Sequence, residues 1–197
     1  ICSGATTGIA LSTTNGVAGA TYSWTRVDAG VSGVLVGSGA AINETLTTTG
    51  SVAGTATYTI TPSVGGCNGV PITVIVTVNP LPDVVAAPAL ETICSGATSN
   101  INLSTSNGVA GATYSWTVVQ SNVSGATSGF GTSINQTLLA TTSNAGTATY
   151  TITPNANGCN GTPIVVAVTV NPTPNVVALP ASQTICSGAT TGIALST

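Results

Sequence analysis

Very few side chains in this sequence can ionise near neutral pH. The chain has no histidine, one basic residue (Arg26) and four carboxylates, and charged residues make up 3% of its 197 positions. A soluble domain usually carries about a quarter. Enzymes use histidine, lysine or paired carboxylates to move protons, and nucleic-acid binding needs several cations to neutralise phosphates. We therefore expect neither an enzyme nor a nucleic-acid-binding protein.

Long apolar runs are also missing. No run approaches the roughly 18 residues that a membrane-spanning helix needs, so we expect no membrane span. Apolar residues nevertheless make up 42% of the chain, and Val, Ile, Leu and Ala are interleaved with Thr. β-Branched residues favour strands, and the 24 glycines and 10 prolines supply turns between them. The composition predicts an all-β protein.

The sequence repeats itself with a period of 92 residues. The motif ICSGAT begins at Ile1, Ile93 and Ile185, and NGVAGATYSWT begins at Asn15 and again at Asn107. This period is too long for one coil of a solenoid and fits one sandwich domain. The last thirteen residues copy the first thirteen letter for letter, so we expect the chain to be part of a longer array.

Proline-rich segments mark the boundaries between the repeats. Asn-Pro-Leu-Pro begins at Asn79 and Asn-Pro-Thr-Pro begins at Asn171, and such segments form short, stiff linkers. They divide the chain into a first sandwich repeat at 1–79 that lacks its first strand, a complete second repeat at 80–171, and the start of a third at 172–197.

Alternating patterns within each repeat predict short strands and identify the core. Positions 113–117 and 147–153 alternate larger apolar or aromatic residues with Thr or Ser, and 164–170 places Ile164, Val166, Val168 and Val170 on one face; such a period of two is typical of strands. About seven such strands with turns between them indicate a sandwich, and a Trp on the third strand with a Tyr early in the sixth is typical of immunoglobulin-like sandwiches. The residues in these core positions are Trp24, Tyr58, Trp116 and Tyr150.

Several motifs together resemble a known family. ICSGAT, YSWT, TATYTITP, NGCNG and VTVNP are similar to the PKD-like, immunoglobulin-like repeats of giant surface proteins in gliding Bacteroidetes. The resemblance implies export to the cell surface, commonly through the type IX secretion system, and a role in adhesion or gliding. It implies no ligand. The chain departs from the PKD pattern WDFGD, because Trp116 is followed by Thr-Val-Val-Gln.

No metal or cofactor site is expected from the polar residues. The carboxylates are scattered along the sequence and are replaced in the following copy by amides: Asp28 by Gln120, Glu44 by Gln136, Asp83 by Asn175 and Glu91 by Gln183. A calcium site needs several clustered oxygens, usually including carboxylates. Trp24 and Trp116 could stack on sugars, but their position in the strand pattern assigns them to the core.

The five cysteines are the most informative polar residues. Cys2, Cys94 and Cys186 share one repeat position, and Cys67 and Cys159 share another; they lack the spacing of a zinc site. In an exported protein such residues form disulfides.

Two pairings of the cysteines are open. Pairing within repeats would join Cys2 to Cys67 and Cys94 to Cys159. In an immunoglobulin-like sandwich, however, these positions lie at opposite ends of a strand about 33 Å long, whereas a disulfide needs Cα atoms within about 7 Å. We therefore favour Cys2 with Cys159, which would clamp adjacent domains.

These observations predict tandem sandwiches forming a filament or stalk on a bacterial surface. The partners would be neighbouring repeats and further copies, because a surface with 3% charge offers little repulsion. One alternative is a module that binds surface glycans, through the segments that differ most between the copies, 34–39 and 126–131. Another is a subunit that polymerises by strand exchange.

Overall fold

Strands form where β-branched residues alternate with small polar ones, and turns form at the glycines and prolines between them. The computed structural model describes residues 1–197 and contains 22 strands. It has no helix that could cross a membrane. The prediction of an all-β chain is confirmed.

The strands fall into two repeats and a short C-terminal pair. Those of repeat 1 are β1 (Ile9–Ala10), β2 (Thr21–Ala29), β3 (Val31–Ser32), β4 (Val36–Ser38), β5 (Ala41–Ile42), β6 (Thr47–Thr48), β7 (Gly54–Val64), β8 (Cys67–Asn68) and β9 (Ile72–Val78). Those of repeat 2 are β10 (Val85–Ala87), β11 (Leu90–Cys94), β12 (Ile101–Ser104), β13 (Thr113–Ser121), β14 (Val123–Ser124), β15 (Gly129–Phe130), β16 (Ser133–Ile134), β17 (Leu139–Ala140), β18 (Gly146–Ala156), β19 (Cys159–Asn160) and β20 (Ile164–Asn171). The final pair is β21 (Val177–Leu179) and β22 (Ala194–Ser196).

Two sheets form the sandwich of repeat 2. The larger sheet has the order β11-β20-β18-β13-β15, with β19 paired to β18, and the smaller has the order β10-β12-β16. β11 runs parallel to β20, and the two strands end together at Cys94 and Asn171. We call this the lower end of the repeat, and the end that carries the β18–β19 hairpin the upper end.

Repeat 1 has the same plan with one strand fewer in the smaller sheet. Its large sheet contains β4, β2, β7, β8 and β9, but the smaller sheet is only the pair β1-β5. No strand in repeat 1 pairs with β1 in the way that β10 pairs with β12. Ile1 and Cys2 supply the end of the parallel strand, with Cys2 bridged to Asn79. The division of the chain at residues 79 and 171, with a first repeat that lacks its first strand, stays a prediction.

The two repeats differ in the size of their cores. The buried apolar cluster of repeat 2 has 16 residues and runs from Val84 to Val170. The cluster of repeat 1 has 8 residues and runs from Trp24 to Val78. Val84 and Ala86, which belong to the proline segment and to β10, are part of the larger cluster. The core of repeat 2 is therefore completed by residues that lead into it from repeat 1.

The aromatic residues on the long strands point into the sandwiches. Trp24 and Trp116 are each 7% exposed, and Tyr58 and Tyr150 are fully buried. Both tryptophans lie against a glycine of the neighbouring strand, Gly37 in one repeat and Gly129 in the other, where a Cβ would contact the indole ring. The tryptophans are thus core residues and offer no face on which a sugar could stack.

The one basic residue, Arg26, lies on the inner face of its strand. It stands in the middle of β2, and its side chain is fully buried. The reason is an alternation that continues along β2, in which every second side chain after Trp24 turns inward. The one basic residue of the chain is therefore inside the sandwich.

Truncating a core side chain tests this arrangement. Ile134 is fully buried in the smaller sheet of repeat 2, so Ile134→Ala should lower the free energy of unfolding of that repeat by about 3 kcal/mol. Val119→Ala is the matched control, because Val119 is 73% exposed. Calorimetry of both variants measures the difference, and equal stabilities would contradict the position of Ile134 in the core.

Candidate functional site at the junction of the repeats

A disulfide joins the two repeats end to end. Cys2 lies at the lower end of repeat 1 and Cys159 in the β18–β19 hairpin at the upper end of repeat 2, and the structure bonds them with their Cα atoms 5.6 Å apart. The within-repeat pairs are not formed. Cys67, Cys94 and Cys186 are all exposed and have no disulfide partner. The bond therefore connects neighbouring domains.

The proline segment before repeat 2 packs on the same upper end. Pro80, Pro82 and Val84 are buried, although the sequence indicates only a stiff spacer. A Cβ on Gly161 would collide with the carbonyl oxygen of Pro82, so the glycine after the β19 strand permits the close approach of the two backbones. The segment is thus part of the domain interface.

Polar contacts fix the register of this segment. Asp83 accepts hydrogen bonds from the backbone N–H groups of Ser106 (2.9 Å) and Asn107 (3.1 Å) and from the hydroxyls of Ser106 and Thr105. The Asn107 side-chain amide donates to the carbonyl oxygen of Leu81 at 2.9 Å. Because the hydroxyls of Ser106 and Thr105 and the two backbone amides favour the ionised carboxylate, the pKa of Asp83 is held well below its usual value.

One further hydrogen bond crosses the junction beside the disulfide. The side-chain amide of Asn79, at the end of repeat 1, donates to the carbonyl oxygen of Asn157 in the hairpin of repeat 2 at 3.3 Å. Covalent, apolar and polar contacts therefore all meet at this one surface, which is the best-defined candidate site in the chain.

A second polar cluster lies inside repeat 1, around Arg26. Its guanidinium forms ion pairs with Asp28 (Nε to Oδ1, 2.7 Å) and Glu44 (Nη1 to Oε2, 2.7 Å). Tyr58 donates its hydroxyl hydrogen to Glu44 at 2.9 Å, and Trp24 donates its indole N–H to the same carboxylate at 3.2 Å. The carboxylates that are scattered in the sequence are thus partly brought together by the fold.

The charges in this cluster shift the pKa values of its members. Burial acts to lower the pKa of Arg26, but its hydrogen bonds and the charge of Asp28 outweigh burial and raise it. Burial raises the pKa of Tyr58, opposed by the hydrogen bond from Arg26. Because the Arg26 side chain is fully buried and paired with two carboxylates, the cluster stabilises the inside of repeat 1.

Repeat 2 fills the same space without charge. Val118, Gln120 and Gln136 replace the arginine and its two carboxylates. The Gln136 side chain accepts from the hydroxyl of Tyr150 at 2.8 Å and binds the backbone of Thr127 through both its oxygen and its nitrogen. Burial, with a smaller effect of the nearby Glu91, raises the pKa of Tyr150 to about 12. The sequence does carry a signal for the ion cluster, because all three charged residues are replaced together by uncharged ones in the second copy.

The remaining cysteines, carboxylates and divergent segments do not come together in another site. No group of three or more histidine, cysteine or acidic side chains is placed to hold a metal ion. Glu91 accepts from the backbone N–H of Asn100 at 3.2 Å, which is a local contact. The segments that differ most between copies lie at one sheet edge, where Val34 and Leu35 of the first copy and Phe130 of the second are exposed.

Comparison with known proteins identifies the same two units. The family model described as a PKD-like domain matches residues 1–82 and 91–174. No curated protein matches the chain. Among solved structures, domains 4 and 5 of the S-layer protein SbsC match with 19% sequence identity over 75% of this chain and 70% of that chain, at a TM-score of 0.32. At that TM-score the similarity carries no argument, whereas the two family matches cover most of the chain.

Removing Arg26 alone should lower the free energy of unfolding of repeat 1, whereas replacing all three charged residues together should change it little. Arg26→Ala leaves Asp28 and Glu44, whose side chains are 16% and 12% exposed, without their cation, and should lower the free energy of unfolding by about 3 kcal/mol. The triple variant R26V/D28Q/E44Q copies repeat 2 and should stay within about 1 kcal/mol of the parent.

Urea unfolding followed by tryptophan fluorescence measures both variants in a Trp116→Phe background, so that the signal comes from Trp24, whose indole contacts Glu44. If the triple variant were as unstable as Arg26→Ala, the uncharged residues of repeat 2 would not be able to replace the ion cluster of repeat 1.

Proposed function

Because the chain belongs to the PKD-like domain family, we propose that it is a structural spacer in a fibre on the outside of a cell, built to keep its length under tension. The observation that carries this proposal is the Cys2–Cys159 bond between neighbouring domains. A tandem array held only by a flexible linker would bend and stretch at each boundary. Here the boundary is covalently closed.

The route of tension through the junction follows from the position of the disulfide. Cys2 ends the short parallel strand beside β9, and Cys159 precedes β20, the last strand of repeat 2. Force applied at the two ends of the chain passes from Cys2 directly to Cys159 and then along β20. Residues 3–158 lie outside this path, so repeat 1 is shielded while the bond is intact.

An oxidising environment is required for such a junction. Disulfides persist in secreted and surface proteins and are rare in the reducing cytosol. The absence of histidine, lysine and methionine leaves few groups for chemistry, and the buried Arg26 and tryptophans offer no exposed charge or aromatic face. These features support a structural role outside the cell.

The motifs of the sequence support a finer form of the proposal. The resemblance to repeats of giant surface proteins in gliding Bacteroidetes points to the stalk of an adhesin, exported by the type IX secretion system and used in adhesion or gliding. In such a stalk each sandwich spaces the next and each closed junction limits bending. The spacer role does not depend on a ligand.

Single-molecule stretching of the chain from its two ends tests the spacer function. The disulfide bypasses a sequence separation of 157 residues, so reducing it should add about 500 Å of extensible chain. Cys2→Ser should give the longer extension with or without reductant. Cys67→Ser is the matched control and should behave as the parent, because Cys67 is unpaired.

The proposal predicts a short, abrupt limit of extension for the oxidised chain. An oxidised chain that extended as far as the reduced one would show that the junction carries no tension, and the spacer function would then lose its support.

A further inference from the structure

The outer face of the large sheet carries rows of hydroxyl groups in both repeats. On the long strands β18 and β7, four successive side chains that alternate with the buried ones belong to threonine. These threonines are Thr147, Thr149, Thr151 and Thr153 in repeat 2, and Thr55, Thr57, Thr59 and Thr61 in repeat 1. We call the outward side chains of β13, β18 and β20, and of β2, β7 and β9, the hydroxyl face of each repeat.

The strands on either side extend these threonines into rows. The rows at the centre of the face are Thr117-Thr151-Val165 and Val119-Thr149-Ala167 in repeat 2, and Thr25-Thr59-Thr73 and Val27-Thr57-Ile75 in repeat 1. Adjacent strands lie about 4.8 Å apart, so neighbouring side chains in a row contact one another. Hydroxyl and methyl groups therefore form one continuous surface on each repeat.

Large apolar side chains stand in the same rows and are exposed. Val119 is 73% exposed and Val165 is 64% exposed in repeat 2, and Val27 is 73% exposed and Ile75 is 65% exposed in repeat 1. Leu90, on the neighbouring edge strand β11, is 76% exposed. Exposed apolar side chains that lie together, rather than singly, mark an interaction surface.

None of the five charged side chains of the chain lies on the hydroxyl face. Arg26 and Asp28 are on the inner side of β2, and Glu44 is paired with Arg26. Asp83 is held at the junction, and Glu91 turns to the inner side of β11. Because the face carries no charge, a second copy of the same face meets no electrostatic repulsion when it approaches.

The hydroxyls in the middle of the face are free to bond to another molecule. At the upper end, Thr113 donates to the carbonyl oxygen of Asn155 and Thr21 to that of Ser63, both at 3.1 Å. The threonines in the middle of β18 and β7 donate to no other group of the protein. A hydroxyl can donate one hydrogen bond and accept others, so these rows can pair with a facing surface that also carries hydroxyls.

The contacts that join one repeat to the next leave the hydroxyl face uncovered. The disulfide from Cys2 to Cys159 and the hydrogen bond from Asn79 to Asn157 both lie at the ends of the sandwiches. Repeat 2, whose upper end is closed by the proline segment, exposes its hydroxyl face just as repeat 1 does. A tandem neighbour therefore covers an end of a sandwich and not this face.

The chemistry of the face favours a like surface over a sugar or a charged polymer. A flat sugar-binding surface uses aromatic rings for stacking, and the only outward aromatic side chain of the large sheet is Phe130 at its edge. The counterpart of Phe130 in repeat 1 is Ser38. A charged polymer requires charges of the opposite sign. A second hydroxyl face instead offers donors, acceptors and methyl groups that match those of the first.

The area of the face is close to what such a contact needs. The seven residues from Thr147 to Thr153 span about 24 Å, and three strands are about 14 Å wide, so each face covers roughly 350 Å². The two faces of one chain together supply roughly 700 Å², whereas a standard interface buries about 800 Å² on each partner. A single face therefore gives a weak contact, and two faces approach the size of a stable one.

We propose that the hydroxyl faces of two copies of this chain pack against each other, so that tandem arrays associate side by side. The strands of the face run between the lower and upper ends, along the direction in which the repeats follow one another. Sheets that pack face to face keep their strands within about 30° of each other, so the two arrays lie nearly parallel or antiparallel and form a bundle. This contact goes beyond the spacer function, which concerns a single chain.

Sedimentation of the 197-residue chain from micromolar to millimolar concentration tests the contact. The free thiols of Cys67, Cys94 and Cys186 are alkylated first, so that no disulfide forms between chains. The parent should associate as its concentration rises. Thr59→Lys combined with Thr151→Lys places an ammonium group at the centre of each face and should raise the dissociation constant at least tenfold, because like charges across an interface repel.

A matched control adds the same charges to the opposite side of each sandwich. Ala10→Lys combined with Asn102→Lys substitutes equivalent exposed positions on the smaller sheets and should associate as the parent does. Thr59 and Thr151 are also exposed, so neither pair of substitutions should change the unfolding transition much, which calorimetry checks.

A charge-reversed pair separates loss of contact from loss of folding. T59E/T151E alone should stay dispersed, as T59K/T151K does. Equal amounts of the two variants should associate at low salt, and added salt should weaken that association because it screens the opposite charges. Misfolded variants would not regain association on mixing.

Three results would overturn the proposal. They are a parent chain that stays monomeric at millimolar concentration, a T59K/T151K variant that associates like the parent, and a control that loses association as T59K/T151K does. A monomeric parent that binds an insoluble polysaccharide, when T59K/T151K does not, would assign the face to sugars instead. Stretching of single chains is measured without neighbours, so the spacer function is tested separately.

Discussion

The closure of repeat 2 by the proline segment and β10 is the constraint on which the rest of this structure depends. Repeat 2 has 16 buried apolar residues in its core cluster and repeat 1 has 8, although their sequences are close copies. The proline segment and β10 account for part of this difference directly, through Val84 and Ala86, and for more through the side chains that they cover. Residues 80–171, which include the proline segment and β10, therefore bury a larger core than residues 1–79.

The low charge of the chain follows from the same arrangement. An interface that must close at every boundary uses apolar contacts, backbone hydrogen bonds and one disulfide, none of which needs long charged side chains. Where charge does occur, nearby groups stabilise it: Arg26 pairs with two carboxylates inside repeat 1, and Asp83 accepts hydrogen bonds from hydroxyl and backbone amide donors at the junction. Repeat 2 has Val118 and two glutamines in place of the internal charges, so the fold itself does not require these charges.

Much of this architecture can be predicted from the sequence because the repeat and the strand pattern are strong signals. The period of 92 predicts one sandwich per copy, and the alternation around Trp116 and Tyr150 predicts their burial. The Cys2–Cys159 pairing follows from topology, since the two ends of a sandwich are too far apart for a bond within one repeat. The packing of Pro80 and Pro82 could not be predicted in this way, because a proline linker and a proline segment docked on a domain have the same sequence.

The ion cluster around Arg26 could not be predicted from the sequence, because it depends on contacts between residues that are distant along the chain. Arg26, Asp28 and Glu44 meet only because β2 lies across the core from the segment after β5, and spacing along the chain does not show that approach. Their joint replacement between copies was the available signal.

Peptide mapping of the protein under non-reducing conditions tests the central claim most directly. Free thiols would be alkylated first, and a protease other than trypsin is needed because Arg26 is the only basic residue and is buried. The structure predicts a disulfide-linked peptide pair containing Cys2 and Cys159. A pair containing Cys94 and Cys159, or Cys2 and Cys67, would contradict the account, because both would place the clamp within repeats and leave the junction open.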